Sequence, residues 1–286
     1  MSILNYFTYF CSMNYEQLCQ RLSRIYDAGE AKAIVRLVLD VRFGLSTADI
    51  YCGKVTQLSS NDQAELEKIM QRLEEAEPVQ YVLGVAEFCG RQFHVAPGVL
   101  IPRPETAELC RFIVEDGGHD ILDVGTGSGC IAITLSLDIA DAKVTAWDVS
   151  DEALAIARSN AKALGAEVEF VHQDALDMPS SPEMWDVIVS NPPYICRKEA
   201  GEMENNVLKY EPDIALFVSD DDPLLFYRHI MNYAAKALRP KGKLYFEINP
   251  IYADSIVEQL LTLGFIDVTK VNDQFDKIRF IKAIKP

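Results

Sequence analysis

The chain has 286 residues, too many for one minimal domain and suited to one or two compact ones. Nearly half the residues are apolar, enough to bury a substantial core, and 27 Lys and Arg against 43 Asp and Glu leave a formal charge of −16. That charge repels nucleic-acid phosphates on average and favours a basic protein partner, although a local basic patch is compatible with it; no apolar run reaches the length of a membrane span.

Residues 1–10 are aromatic and apolar but carry no cationic start and no small-residue cleavage site, so they are not read as a signal peptide. The helical pattern begins abruptly after Met13, which makes Met13 a candidate start. Tyr15, Leu18, Cys19, Leu22 and Ile25 recur at helical spacing. Ile34, Val35, Leu37, Val38 and Val41 form a second stripe with Gly44 as its stop, and Leu66, Ile69, Met70 and Leu73 a third that ends near Pro78. Residues 1–80 are therefore expected to form a small helical domain. Glu87-Phe88-Cys89 and Arg91 to Val95 flank Gly90 and predict a hairpin. The prolines at 97, 102 and 104 impose an extended backbone, so 81–104 reads as a linker between domains.

From 105 to 286 strands and helices alternate. Strands are expected at 121–124, 144–147, 168–171, 186–189 and 244–248, with two more at the end. Helices are expected between them, one at 151–164 ended by Gly165 and one at 224–238 stopped by Arg239-Pro240-Lys241-Gly242. This is an α/β fold with a doubly wound, mostly parallel, seven-stranded Rossmann-like sheet. Seven scattered cysteines (11, 19, 52, 89, 110, 130 and 196) show no metal-clamp spacing. They read as reduced thiols of a cytoplasmic protein, and no metal is expected.

Asp123-Val124-Gly125-Thr126-Gly127-Ser128-Gly129 lies between a strand and a helix, where glycines allow a sharp turn and close approach to a ligand. Asp148 ends the next strand and can accept both hydroxyls of an adenosine ribose. The run is G-x-G-x-G, unlike the G-x-G-x-x-G of pyrophosphate binders. A carboxylate at Asp123 suits an ammonium and a sulfonium better than a pyrophosphate, which favours S-adenosylmethionine. A turn that only packs helix on strand is the plainer alternative. Asp174 and Ala175 follow the next strand, where the adenine amino group is contacted; an Asp there also serves as a helix cap, so Asp174 stands open between the two roles.

Asn191-Pro192-Pro193-Tyr194 follows the strand at 186–189. Two prolines fix the backbone and remove its donors, leaving the Asn191 and Pro192 carbonyls rigid. A planar NH2 group has two N–H donors, which the Asn191 side-chain oxygen and the Pro192 carbonyl can accept while the lone-pair face turns to the sulfonium. Tyr194 would stack on the flat group or shield it from water. Methyl transfer would then rest on proximity, orientation and stabilisation of positive charge growing on nitrogen. The alternative is a rigid surface turn.

The glycine run and Asn-Pro-Pro-Tyr, in this order, resemble class I amino-methyltransferases. Pro78-Val79-Gln80-Tyr81 with Gly84 and Glu87-Phe88, the run Leu100-Ile101-Pro102-Arg103-Pro104-Glu105-Thr106, and Tyr210-Glu211-Pro212 with Ala215-Leu216 resemble one branch, the protein-glutamine N5-methyltransferases of class I peptide-chain release factors. That resemblance implies S-adenosylmethionine as cofactor and the glutamine of a Gly-Gly-Gln loop as acceptor. It implies that Gly125 to Gly129, Asp148, Ala175 and Asn191 line the cofactor, and that Asn191, Pro192, Pro193 and Tyr194 hold the glutamine amide. Arg103 and Glu105 would fix the junction near the substrate channel, or make a purely structural ion pair. The helical domain would recognise the substrate, and a monomer with no nucleic-acid or membrane partner is expected. Two positions depart from the family. Asn249 stands where glycine is usual, tolerable in left-handed geometry. Asn272-Asp273-Gln274-Phe275-Asp276 replaces a glycine-containing loop.

Three rival functions share parts of this pattern. An adenine-N6 nucleic-acid methyltransferase uses the same loop on an exocyclic amine but needs a basic groove or an added recognition domain. An NAD-dependent oxidoreductase shares the glycine loop but leaves Asn-Pro-Pro-Tyr unexplained. A non-catalytic binding protein would have no need of Asp123, Asp148 and Asn191.

Overall fold

The computed structural model describes residues 13–180 and 182–286, so the aromatic segment 1–10, not read as a signal peptide, and Cys11 lie outside the described residues. The chain divides into two compact units at Gly84/Val85. The first holds α1 (Tyr15–Leu22), α2 (Ala28–Phe43), α3 (Thr47–Tyr51), α4 (Ser60–Glu74) and α5 (Val79–Leu83). Asn14, Asp27, Ser46 and Ser59 cap the first four, each side chain accepting an orphan backbone N–H. Gly44 ends α2 in left-handed conformation, as the sequence predicts. The apolar stripes close on one core that includes Leu18, Val38, Leu39, Met70 and Leu73, whereas Ile25, Leu37 and Val41, expected in the same stripes, lie on the surface. Arg21 bridges Glu67 and Glu74 on α4 at 2.7 Å each, pinning α1 to α4.

The second unit opens with the hairpin β1 (Val85–Phe88) and β2 (Arg91–His94), whose two-residue turn puts Cys89 and Gly90 both at positive φ. Phe88 and Phe93 are buried in this unit's core, so the hairpin belongs to the second unit by packing and not to a free linker. The chain continues through α6 (Pro104–Asp116), β3 (Asp120–Val124), α7 (Cys130–Asp138), β4 (Lys143–Asp148), α8 (Asp151–Leu164), β5 (Val168–His172) and β6 (Trp185–Ser190). An excursion follows: β7 (Ile195–Cys196), α9 (Asn205–Tyr210), α10 (Asp213–Leu216) and β8 (Phe217–Val218), with β7 and β8 paired in parallel. Last come α11 (Leu225–Ala237), β9 (Leu238–Glu247), α12 (Ala253–Thr262), β10 (Ile266–Asn272) and β11 (Ile278–Ile284).

The seven-stranded sheet has the order β10-β11-β9-β6-β3-β4-β5. β9, β6, β3, β4 and β5 are parallel, and β11 and β10 join antiparallel. Alternate residues feed two cores. Leu122, Val124, Ile188, Leu244 and Phe246 pack with α11 and α12. Ile121, Val187, Val189 and Tyr245 pack on the opposite face with α6, α7 and the hairpin. The doubly wound sheet is thus as the sequence predicts. Two local expectations are corrected. Arg239 to Gly242 does not merely stop a helix: it lies inside β9, which starts at Leu238 opposite Trp185 and shifts register before Lys243. Asn249 is not left-handed: its φ is −73°, and its side chain caps the turn after β9 by accepting the Ile251 N–H.

Candidate active site

β3 and β6 are neighbours, so the glycine loop after one and Asn-Pro-Pro-Tyr after the other emerge side by side at the carboxyl edge, where the strand order reverses. Ser190 stitches them, donating its hydroxyl to the Val124 carbonyl at 2.7 Å. Gly125, Gly127 and Gly129 have φ of 79°, 55° and 82°. A Cβ on Gly125 or Gly127 would meet no protein atom within 4 Å, whereas one on Gly129 would meet Ile133 Cδ1 at 2.9 Å. The first two glycines therefore keep a space clear, and the third allows α7 to pack.

That space is a cavity of about 240 Å³. Gly125, Gly127, Asp148, Asp174, Ala175, Asn191, Pro192 and Pro193 line it, with Leu100 from the proline-rich run and with Val149, Leu176 and Phe226, which sequence reasoning had not singled out. The Asp148 carboxylate accepts Gly127 N–H at 2.8 Å through Oδ2 and Ser150 N–H at 2.9 Å through Oδ1. Each oxygen retains a second lone pair for a hydroxyl. Burial raises its pKa, opposed by those backbone hydrogen bonds. Asp174 Oδ1 accepts Leu176 N–H at 2.8 Å in a turn that no helix follows, so it is not the helix cap left open above, and Asp174 lines the cavity. A clear glycine cradle, a carboxylate with spare lone pairs and apolar walls for a flat ring fit an adenosyl cofactor such as S-adenosylmethionine.

Asp123, Thr126 and Ser128 lie elsewhere. They are buried beneath the loop, with Thr126 donating to Asp123 Oδ2 at 2.6 Å, and none of the three lines the cavity. Burial pushes the Asp123 carboxyl up to about 7.

A second cavity of about 180 Å³ adjoins the first. Leu100, Asn191, Pro192 and Ala215 line both; Arg103, Tyr194, Met203 and Val207 line only the second. Arg103 pairs with Glu211 at 2.7 Å, not with Glu105, and Glu211 also accepts Ile101 N–H at 3.1 Å. The ion pair expected at the junction therefore exists with a different carboxylate, and Glu105 lines neither cavity.

Behind Asn191 runs a buried chain of hydrogen bonds. Asn191 Nδ2 donates to Thr106 Oγ1 at 3.3 Å, Thr106 donates to Glu247 Oε2 at 2.6 Å, and Tyr194 donates to Glu247 Oε1 at 3.2 Å. Thr106 and Glu247 are 3% and 2% exposed. Burial raises the pKa of the Glu247 carboxyl, opposed by the hydrogen bonds from Thr106 and Tyr194 and by the Arg279 charge, with Glu105 adding to the rise. Burial likewise raises the Tyr194 hydroxyl, so it stays a donor. Tyr194 is thus tethered by its hydroxyl, which leaves its ring to form the wall. Glu247 carried a signal that sequence reasoning missed: an acid in an otherwise apolar strand end is rarely buried without a task.

Residues 15–84 match the family profile described as PrmC N-terminal domain, and residues 105–209 the one described as methyltransferase small domain. The release factor glutamine methyltransferase of Bacteroides thetaiotaomicron is 50% identical over 267 residues, covering 92% of this chain and 96% of the relative. That of Flavobacterium psychrophilum is 39% identical over 274 residues, covering 93% and 96%. Among solved structures, a methyltransferase from Pyrococcus furiosus superposes with a TM-score of 0.53 at 21% identity, over 79% of this chain and 99% of that one. The T. thermophilus 16S rRNA N2 G1207 methyltransferase gives 0.52 at 21% identity, over 71% and 50%. The two structural likenesses speak to the fold.

Proposed function

The chain belongs to the release factor glutamine methyltransferase family, and on that premise we propose that the wall shared by the two cavities is where the glutamine amide of a release factor meets the methyl donor. The protein is an S-adenosylmethionine-dependent protein-glutamine N5-methyltransferase, acting on the glutamine of the Gly-Gly-Gln motif. When bound, the cofactor supplies a methyl group activated by a sulfonium. The observation that supports our placement is that Asn191 and Pro192 face both cavities, with the glycine loop and Asp148 on one side and Arg103 and Tyr194 on the other.

In this reading Asp148 takes the ribose hydroxyls, Ala175 borders the adenine, and the clear space at Gly125 and Gly127 admits the cofactor's backbone. Asn191 Oδ1 and the Pro192 carbonyl accept the two N–H groups of the glutamine amide, turning its lone-pair face to the methyl group. Pro193 keeps the Pro192 carbonyl from swinging, and Tyr194 excludes water from the far side. As nitrogen gains positive charge, the same two carbonyl oxygens stabilise it, and the proton leaves only after transfer. We assign substrate recognition to the helical unit, with a monomeric enzyme and no nucleic-acid partner. Among the described residues no helix is long and apolar enough to cross a membrane.

The test is incubation of the purified protein with labelled S-adenosylmethionine and either an unmethylated release factor or adenine-rich DNA. Label should enter the release factor and vanish when the Gly-Gly-Gln glutamine is replaced. Asn191→Ala should lower turnover by about a hundredfold or more, as loss of one fixed partner of transition-state charge does. Label on DNA alone would overturn the reading.

A further inference from the structure

The two ends of a side-chain amide have nearly the same shape, so only hydrogen bonds decide which end of Asn191 faces the acceptor. The proposed chemistry needs the oxygen there; the NH2 end would present donors to the donors of the glutamine amide. Nothing in the loop itself makes the choice. The two prolines fix the backbone but leave the last torsion of Asn191 free.

We propose that Thr106 and Glu247 are positioning residues that set the polarity of Asn191, an inference that rests on the amide-holding role given to Asn191 above. The chain of donors runs one way. Glu247 is met by a hydroxyl donor at each oxygen, Tyr194 at Oε1 and Thr106 at Oε2, so Oε2 takes the single hydroxyl proton of Thr106 at 2.6 Å. Thr106 Oγ1 then has only lone pairs to offer, and the group it meets at 3.3 Å must be the Nδ2 end of Asn191. Oδ1 is left for the acceptor. Tyr194 donates to the other Glu247 oxygen at 3.2 Å, so one carboxylate both polarises Asn191 and tethers the Tyr194 wall. Tyr227 accounts for the Glu247 carbonyl, donating to it at 3.1 Å, which helps hold this strand end in place. The residues come from three separate parts of the chain, α6, the loop after β6 and the end of β9, so the polarity is a property of the assembled fold. Asn191 is partly exposed to the cavity, but the two groups that orient it are nearly sealed from water, where a mis-directed hydrogen bond has no solvent to repair it.

Thr106→Val keeps the shape and removes both bonds. Its kcat on the release factor should fall about tenfold to a hundredfold, as misplacement of a reacting group does, while cofactor affinity by calorimetry stays at the wild-type value. Thr106→Ser retains the hydroxyl and should lose no more than about threefold, within the small cost of a missing methyl. Glu247→Gln can donate to Thr106 and reverse the chain, so it should resemble Thr106→Val. Because Thr106 acts through Asn191, adding Thr106→Val to Asn191→Ala should cost nothing further. Full additivity, or a serine variant as poor as the valine one, would mean a merely structural role and would overturn the proposal. If the valine variant does not fold, the serine and glutamine variants carry the same comparison. The side-chain amide signal of Asn191 in 15N NMR gives a readout without turnover. It should shift in Thr106→Val and hold in Thr106→Ser; an unmoved signal overturns the proposal. Wild-type protein that leaves the release factor unlabelled would instead refute the substrate reading, while the NMR comparison still judges the orientation.

Discussion

At the scale of single residues, two aspartates that look alike in the sequence have separate tasks. Asp148 lines the cavity beside the glycine loop and already holds two backbone N–H groups, so Asp148→Ala would leave those donors without their acceptor, and with them the ribose hydroxyls under the role proposed for it. Affinity for S-adenosylmethionine should weaken by about tenfold to a hundredfold, matching about 1–3 kcal/mol for unmade bonds. Calorimetry that finds affinity unchanged would assign the ribose to another residue. Asp123 is fully buried and its carboxyl is pushed from 3.8 to about 7. Below 3.8 it is protonated in folded and unfolded chains alike. Between that value and about 7 only the folded chain keeps the proton, so its contribution to stability is lost as pH rises through this window. Asp123→Asn should therefore stabilise the cofactor-free protein at pH 8 by on the order of a few kcal/mol and raise its melting temperature, with a much smaller gain near pH 4. Thermal melts of the two proteins across that range decide it; a gain independent of pH would show that ionisation of this carboxyl is not the cost.

At the scale of elements, the parts legible in the sequence are those whose chemistry is local. The glycine loop, Asp148 and Asn-Pro-Pro-Tyr each declare themselves within a few residues, and the β1–β2 hairpin is fixed by its turn. What escaped the sequence depends on distant partners. Arg103 meets Glu211, 108 positions away, and Thr106 meets Glu247, 141 away. The extension of β9 back to Leu238 likewise comes from pairing with β6, and Lys241 and Gly242 are held by Lys285 backbone groups. The left-handed turn expected at Asn249 proved unnecessary because its side chain bonds Glu199 and the Tyr194 carbonyl from an ordinary φ. Glu211 is the test of these long-range ties, since it holds Ile101 N–H and Arg103 from the excursion between β6 and α11. Glu211→Gln turns one acceptor into a donor facing Ile101 N–H. Stability should fall by about 1–3 kcal/mol, and KM for the release factor should rise more than kcat falls. An unmoved KM would separate the proline-rich segment from substrate binding.

At the scale of the whole molecule, the formal charge of −16 sets the conditions of encounter. An acidic enzyme meeting a basic face of its substrate should lose affinity as salt rises, so KM for the release factor should climb with ionic strength while cofactor affinity barely moves. A flat KM would point to apolar docking. Asn160 on α8 has a different kind of reach. It is 2% exposed, accepts the His94 N–H at 2.7 Å, and donates to the carbonyls of His94 and Ser128 at 3.0 and 2.9 Å. One side chain thus clasps the hairpin and the cofactor loop together, and neither can breathe without disturbing the other. In native-state hydrogen exchange the amide of His94, outside the lining of the adenosyl cavity, should become slower to exchange when the cofactor braces the loop. In Asn160→Ala that communication should disappear, leaving the hairpin to open on its own clock.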